Sequence, residues 1–513
     1  LNLAFSFSEK SKNSLLLESI KANEGKSVVG VPDSLLQKEK DLNIDIAFYG
    51  KTLQKAQDQK EEAKIKLYQK YLSQSRLQLV DLREALERDF PKFHALKYRG
   101  ETTSIAALQS KLLGKQSAFV EYFVGDSSTF AFVITQSSTD LLRLKNPSIL
   151  QKEAVNFREV LLNPKAFQQD AKTAFADYQN KASILYQSVL QPVLSSLSND
   201  IQRLILVPDG FLNAIPLEAL TKTSETTAGF DFAKLPYVLY DYSIQYAYSA
   251  DLLLQNQTRQ SQISSNAECL AFAPSYQKGE VAAAQKGSLQ QLRNTTGNLE
   301  GTVREIQAIA QFFNGQFDFG KTATERQFKQ FAPQFGILHL AMHGVPDFDN
   351  ANFNHLQFSN LETDTLEDNL LHHYEIANMD LQAQLVVLSA CETGVGKYEK
   401  GEGVYSLARS FMYAGVPSVV MSLWKVSDES TSELMPYFYE SLHNGESKEM
   451  ALQDAKIRFL EEANLEYRHP FYWSAFVMMG DGTAINRGYG NWIWWGIGGF
   501  VLMGMGVFFW RKR

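Results

Sequence analysis

The fold is decided by two apolar stretches that each end in a reactive side chain, ILHLAMHG at residues 337–344 and LVVLSACETG at residues 385–394. Short, continuous apolar runs of this kind are typical of buried strands. A third such run covers residues 417–424, and helical patterns precede and follow it. Alternation of strands and helices favours a mostly parallel sheet with helices on both faces. We therefore predict an α/β fold.

His343 and Cys391 directly follow the first two strands. Because sites in open α/β sheets form at the carboxyl ends of the strands, we expect both side chains at the same edge of the sheet. A thiol beside an imidazole is the nucleophile–base pair of a cysteine peptidase. Gly344 allows close approach of its N–H, so we predict an oxyanion hole made by the N–H groups of Gly344 and Cys391.

Other interpretations of these residues carry less weight. A free cysteine is commonly a buried small hydrophobe, which is our prediction for Cys269 inside the strand at residues 269–272. His339 lies four residues before His343, as in a zinc-binding helix. However, Leu340 stands where a metalloprotease needs Glu, and the flanking pattern is a strand. We predict no metal ion and no cofactor, and we expect the His372-His373 pair at the surface.

Composition excludes several classes of protein. The chain has 513 residues, a net charge of −7 and two cysteines. Two cysteines do not make a disulfide scaffold or a paired CxxC zinc site. The acidic balance gives no reason to expect nucleic-acid binding, which requires a basic face. At about 150 residues per domain, the length allows about three domains.

The chain divides into four regions by pattern. Residues 1–100 have helical periodicity and charged faces, and residues 101–265 begin with a β-hairpin and continue with helices and a buried strand. Residues 266–485 alternate between strand and helix. Residues 486–513 form a linker, an apolar segment and a basic tail.

The apolar segment predicts a membrane anchor. Ile493–Trp510 contains 18 residues without a charge, and Arg511, Lys512 and Arg513 follow at once. A helix of this length spans about 27 Å, close to the thickness of the hydrocarbon core. We predict a single-pass helix over residues 491–510. The positive-inside rule favours a cytoplasmic tail with the rest of the chain on the periplasmic or outer side; a tail-anchored, cytoplasmic protein is the alternative.

Several ordered motifs resemble the CHAT domain, a caspase-like cysteine peptidase family often found behind TPR arrays. They are HLAMHG, LSACETG, GEGVYSLARSFMYAGVPSVVMSLWKVSD and HPFYWSAFVMMGD, with VPDG…IPLEAL upstream. The resemblance covers residues 100–485. It implies a caspase-like subdomain without a dyad at residues 101–265 and a catalytic subdomain at residues 266–485. It also implies TPR-like helices before them. In caspases the histidine precedes the cysteine by about 50 residues, and here the spacing is 391 − 343 = 48.

The resemblance also implies a function. Cys391 would attack a peptide carbonyl while His343 acts as base and then as acid. Separases are similar around Trp424–Asp428 and use an acid there to accept Arg, so Asp428 is a candidate for the substrate pocket; capping of the helix that follows is the alternative. We predict a membrane-anchored endopeptidase that cleaves proteins and is regulated by a partner protein on the TPR-like helices. The alternative is a catalytically silent scaffold that recruits proteins.

Overall fold

The computed structural model describes residues 1–12, 32–90, 102–225, 229–263, 265–274, 301–345, 354–359, 367–389, 397–399, 403–425 and 427–487. Cys391 and the predicted anchor at residues 491–510 lie outside these ranges. No helix among the described residues is both long enough and apolar enough to cross a membrane.

The described strands belong to three sheets. They are β1 (Ser117–Val124), β2 (Thr129–Thr135), β3 (Thr139–Arg143), β4 (Arg203–Val207), β5 (Ser243–Tyr246), β6 (Cys269–Pro274), β7 (Gly315–Gly320), β8 (Ile337–Leu340), β9 (His343–Val345), β10 (His355–Gln357), β11 (Leu370–His372), β12 (Leu385–Leu388), β13 (Lys397–Glu399), β14 (Gly403–Tyr405), β15 (Ser418–Ser422) and β16 (Phe476–Gly480).

The described helices precede, connect and cover these strands. They are α1 (Asn2–Lys10), α2 (Asp33–Asp58), α3 (Glu62–Asp89), α4 (Ile105–Lys111), α5 (Pro147–Leu161), α6 (Pro164–Gln169), α7 (Ala171–Val189), α8 (Gln191–Leu194), α9 (Ala250–Gln262), α10 (Gly301–Phe312), α11 (Glu325–Phe331), α12 (His373–Ala377), α13 (Leu407–Tyr413), α14 (Asp428–His443), α15 (Lys448–Glu462) and α16 (Pro470–Trp473).

An eleven-stranded sheet forms the centre of the molecule, in the order β3-β2-β1-β4-β5-β16-β15-β12-β8-β6-β7. Strands β1, β4 and β5 are parallel neighbours, and so are β15, β12, β8, β6 and β7. The hairpin at the β3 edge is antiparallel, as is the β15–β16 pair. The prediction of a mostly parallel sheet is confirmed. Because β16 lies between β5 and β15, the sheet is continuous across the predicted boundary at residue 265.

Helices bury both faces of this sheet. Ala118 and Val120 of β1 belong to the main apolar core, whereas Phe119 belongs to a second core with Phe5 of α1 and Leu108 of α4. Alternation follows from the pleat, because successive side chains of a strand point to opposite faces. A sheet covered on both faces explains why its strands read as continuous apolar runs.

Residues 33–89 form a helical hairpin that we call the arm. The chain reverses at Lys60, whose φ is 56°, and Leu42 of α2 packs with Leu79, Leu82 and Leu86 of α3. The two helices have 26 and 28 residues. The TPR likeness of this region stays a prediction.

Candidate active site

Three parallel strands end within one residue of one another at one edge of the large sheet. Leu340 of β8 lies opposite Leu388 of β12, which lies opposite Met421 of β15. His343 and Cys391 each stand three residues beyond the paired leucines. Neighbouring strands lie about 4.8 Å apart, so the two segments that carry the predicted dyad leave the sheet side by side.

His343 occupies a different element from the one that we predicted. The strand predicted for residues 337–342 ends at Leu340, and His343 begins β9. This strand is the edge of a three-stranded sheet in the order β11-β10-β9, where His343 lies opposite Gln357. The side chain of His343 is exposed, and an exposed imidazole is accessible to a substrate.

Gly344 is the buried middle residue of β9 and lies opposite Leu356 of β10. Because β9 is an edge strand with a single partner, alternate backbone N–H groups point away from β10. The role of Gly344 stays a prediction.

Described residues precede and follow the segment that contains Cys391. Ser389, the last described residue before it, is 7% exposed. The chain is described again in β13 and β14, which pair antiparallel to each other. β14 lies against the short helical turn Gly210–Ala214, which follows β4. β14 therefore lies beside the first half of the large sheet.

Asp428 lies beyond the carboxyl end of β15, at the beginning of α14. α14 begins at Asp428 itself, and Ser427 occupies the N-cap position that the sequence offered to Asp428. Asp428 is exposed and belongs to the first helical turn. There its charge interacts favourably with the helix dipole, which supplies a structural reason for an acid at this position. Its role in a substrate pocket remains a prediction.

His339 is a core residue, as the argument against a zinc helix requires. Its Nδ1 lies 2.9 Å from Tyr439 Oη, and its Nε2 lies 3.1 Å from Glu305 Oε1, with all three side chains buried. Sequence patterns alone did not point to Glu305 or Tyr439. Cys269 is fully buried in β6, and burial raises the pKa of its thiol, which makes it a poor nucleophile.

The predicted surface position of the His372-His373 pair is wrong. His372 is 2% exposed and His373 is 5% exposed. His373 Nδ1 lies 2.6 Å from the hydroxyl of Ser410 in α13. Burial, with a smaller contribution from the nearby Arg409 charge, lowers the pKa of His373 to about 4. Partners from distant parts of the chain make burial of these two rings possible.

A cleft between the two halves of the sheet also escaped the sequence analysis. It is open to solvent and lies where β4, β5 and β15 end. Its lining is apolar and aromatic and consists of Pro208, Asn213, Ile215, Tyr246, Tyr248, Met421, Leu423, Val477 and Met479. Met421 pairs with Leu388, so the cleft lies one strand away from the end of β12.

Three carboxylates lie close enough together to bind a metal ion, but the ammonium group of a lysine lies among them. Oxygens of Glu325, Glu367 and Glu375 lie within 4.8 Å of one another. The ammonium group of Lys329 lies 2.7 Å from Glu325 and 2.8 Å from each of the other two. Burial raises the pKa of Glu325 to about 7. This cluster ties α11 to α12.

The mostly parallel sheet with helices on both faces defines an α/β protein. The CHAT domain profile matches residues 179–481, more than half of the chain. The chain therefore belongs to the CHAT domain family.

Two curated relatives share part of this sequence. Tetratricopeptide repeat protein 28 of Homo sapiens is 24% identical over 321 residues, which cover 56% of this chain and 12% of that protein. Its Mus musculus counterpart is 28% identical over 121 residues, which cover 24% of this chain and 5% of that protein. The chain thus spans only a small part of the length of these relatives.

Solved structures show a distant likeness. The Saccharomyces cerevisiae separase–securin complex has a TM-score of 0.47 at 10% identity and covers 82% of this chain and 34% of that one. The Arg-specific cysteine proteinase gingipain R has a TM-score of 0.36 at 12% identity, with 63% and 76% covered. Both scores lie below 0.5, so these likenesses do not assign an activity or a substrate pocket to this chain.

Proposed function

We propose that this CHAT domain is a cysteine endopeptidase in which Cys391 is the nucleophile and His343 the general base. The observation that carries the proposal is the level end of β8 and β12 at Leu340 and Leu388. Because these two strands end side by side, the segments that carry His343 and Cys391 begin at adjacent positions. The exposure of His343 adds access for a substrate. Membership of the CHAT family supports the same chemistry.

The proposed mechanism divides peptide hydrolysis into two steps. His343 accepts the Sγ proton of Cys391 as the sulfur attacks the scissile carbonyl carbon, and backbone N–H groups, including that of Gly344, bind the developing oxyanion. The imidazolium then donates its proton to the leaving amine, which leaves an acyl-enzyme. Water, deprotonated by His343, attacks the thioester and releases the acid and the free thiol.

The proposed substrate is a protein with a basic residue before the cleaved bond. Asp428 lies past the end of β15, the neighbour of the strand that leads to Cys391. An exposed carboxylate in this position offers a bidentate partner to a guanidinium group once the substrate covers it. Specificity for Arg or Lys is therefore the finer part of the proposal.

Anchoring and regulation complete the proposal. Residues 491–510 anchor the chain in a membrane, with the peptidase on the periplasmic or outer side, or on the cytoplasmic side in the alternative topology. A protein partner that binds the arm regulates cleavage. The arm supplies a surface for such a partner, because Phe48, Leu67 and Tyr71 expose 46%, 43% and 38% of their area.

A silent scaffold is the second candidate function. The same exposed apolar side chains of the arm, together with tetratricopeptide relatives, favour a role in recruiting proteins. A scaffold would need the arm and the sheet but neither the thiol nor the imidazole.

Proteome-wide mapping of new protein N-termini distinguishes the two functions. Cells that express the full chain are compared with cells that express Cys391→Ala at the same level. A peptidase produces new N-termini that depend on Cys391, and under the specificity proposal most of them follow Arg or Lys. Identical sets of N-termini in the two cultures contradict the peptidase proposal and leave the scaffold.

A further inference from the structure

The small sheet that carries His343 is too short to hold its own position. Each of β9, β10 and β11 has three residues. His343 pairs with Gln357, and His355 of β10 pairs with His372 of β11. Ladders of this length make few hydrogen bonds, so the placement of His343 depends on what supports the far edge of the sheet.

That far edge ends in the buried ring of His372. The ring stacks on Tyr374 with a centroid distance of 5.4 Å and an interplanar angle of 10°. It also meets the ring of His355 edge-on at 5.3 Å. A displacement of His372 is thus transmitted to β10 both through the ladder and through the ring of His355.

The arm contacts this ring directly. Nζ of Lys51 in α2 lies 2.9 Å from Nε2 of His372, and α2 lies against α12. An ammonium group has donors only, so His372 accepts this hydrogen bond with the lone pair of a neutral imidazole. The contact joins residues 321 positions apart in the sequence.

Residues of the predicted catalytic subdomain, 266–485, support β11 on the side away from Lys51. The Glu375 carboxylate accepts a hydrogen bond from the backbone N–H of His372 at 3.0 Å. The same carboxylate pairs with the ammonium group of Lys329 at 2.8 Å. His373 meets Ser410 of α13. His372 therefore contacts Glu375 of the predicted catalytic subdomain through its backbone and Lys51 of the arm through its ring.

We propose that Lys51 and His372 are positioning residues that transmit the placement of the arm to His343. A partner that shifts α2 moves Lys51, which changes the support of β11 and, through β10, the position of the His343 imidazole. The inference rests on the proposed function because it assigns His343 its role there. It adds a route by which the arm regulates that same site.

Kinetics of the full chain with a substrate found by N-terminal mapping test the route. Lys51→Met removes the donor and keeps the length of the side chain. Lys55→Met, an exposed lysine one turn further along α2, is the matched control. We expect Lys51→Met to lower kcat about tenfold with KM unchanged, a loss of about 1.4 kcal/mol. Lys55→Met should behave as wild type.

Variants of His372 separate positioning from a general loss of packing. His372→Phe keeps a ring on Tyr374 but cannot accept from Lys51, and it should lower kcat as Lys51→Met does. His372→Gln keeps an acceptor oxygen and should retain most of kcat. The double variant Lys51→Met/His372→Phe should be no slower than either single variant, because both remove one interaction. Additive losses, or equal loss in His372→Gln, contradict the route.

Hydrogen exchange gives a readout that does not require proteolysis. Lys51→Met should speed amide exchange in β9 and β10, whereas Lys55→Met and Cys391→Ala should not. If wild-type protein cleaves nothing, the proposed function is wrong and the exchange result alone decides the inference. Equal exchange in Lys51→Met and Lys55→Met overturns it.

Discussion

Leu340 in β8 lies directly opposite Leu388 in β12, at the last paired position of two parallel neighbours. Both leucines are fully buried, so the register is held by the core rather than by the loops that follow. A shift of one residue would place these side chains on the opposite face of the sheet. The core of the protein therefore determines where the His343 and Cys391 segments begin.

Docking of α1 on the sheet should depend on pH through Glu9. The Glu9 carboxylate accepts hydrogen bonds from the Ala250 and Asp251 N–H groups at 3.0 Å each. Burial, followed by the nearby Glu121, raises the pKa of Glu9 well above 4.5. A raised pKa in the folded state gives a stabilising contribution that is complete below pH 4.5 and is lost as pH rises through the folded value.

Glu9→Gln removes this dependence. We expect wild type to lose stability relative to Glu9→Gln as pH rises above 4.5, measured as the difference in urea midpoints over a series of pH values. The exposed residue Glu84 provides the control variant Glu84→Gln. A difference between wild type and Glu9→Gln that stays constant across this range contradicts the account of Glu9.

His469 should make the fold sensitive to acid. Its Nδ1 accepts from the N–H of Phe471 at the start of α16, and its ring lies 4.7 Å from that of Phe232. Burial lowers the pKa of His469 from 6.5 to about 3. The contribution of neutral His469 is thus complete above pH 6.5 and declines as pH falls from there towards 3.

His469→Asn keeps an N-cap acceptor and removes the titration. The variant loses packing, so it should be less stable than wild type at pH 7, but this difference should shrink between pH 7 and pH 4. Thermal midpoints measured at both values test this, with the exposed His443→Asn as control. A difference that grows in acid would show that His469 titrates in another way.

Asp428→Ala should change specificity while activity persists. If Asp428 binds the basic side chain of the substrate, its loss should slow cleavage after Arg or Lys by about tenfold and spare other sites. Glu433→Ala, an exposed acid further along α14, serves as control. An unchanged cleavage profile leaves Asp428 with its helix-end role alone.

Removal of residues 491–513 should release the chain from the membrane without unfolding it. The described fold is already complete at residue 487, where Arg487 Nη2 donates to the Leu442 carbonyl oxygen at 2.9 Å. We expect the full chain to require detergent for extraction and to resist alkali, and the shortened chain to remain in the supernatant. A full chain that alkali releases contradicts the anchor.

The strands of the large sheet could be predicted because they are buried on both faces. The predicted hairpin appears as β1–β2, and the strands β8, β12 and β15 lie within the apolar runs that predicted them. The place of β16 could not be predicted, because it is the last strand along the chain and lies in the middle of the sheet. Strand order depends on pairings between distant segments, which local periodicity does not record.

The sequence correctly predicted that the strands before His343 and Cys391 are neighbours that end at the same edge of the sheet. The sequence could not place His343 in a separate strand, since three residues are too few for a pattern. Nor could it predict buried His372, whose contact with Lys51 joins positions 321 residues apart. The same applies to His339 and Tyr439, which are separated by 100 residues.

The most direct test of the account compares cleavage of one mapped substrate by the purified full chain and three variants. Wild type and Cys269→Ala should cleave at similar rates, because Cys269 is buried in β6. Cys391→Ala and His343→Ala should each reduce the rate to that of a blank while keeping the circular dichroism spectrum of wild type. Cleavage at the wild-type rate by either of these two variants would contradict the proposed dyad.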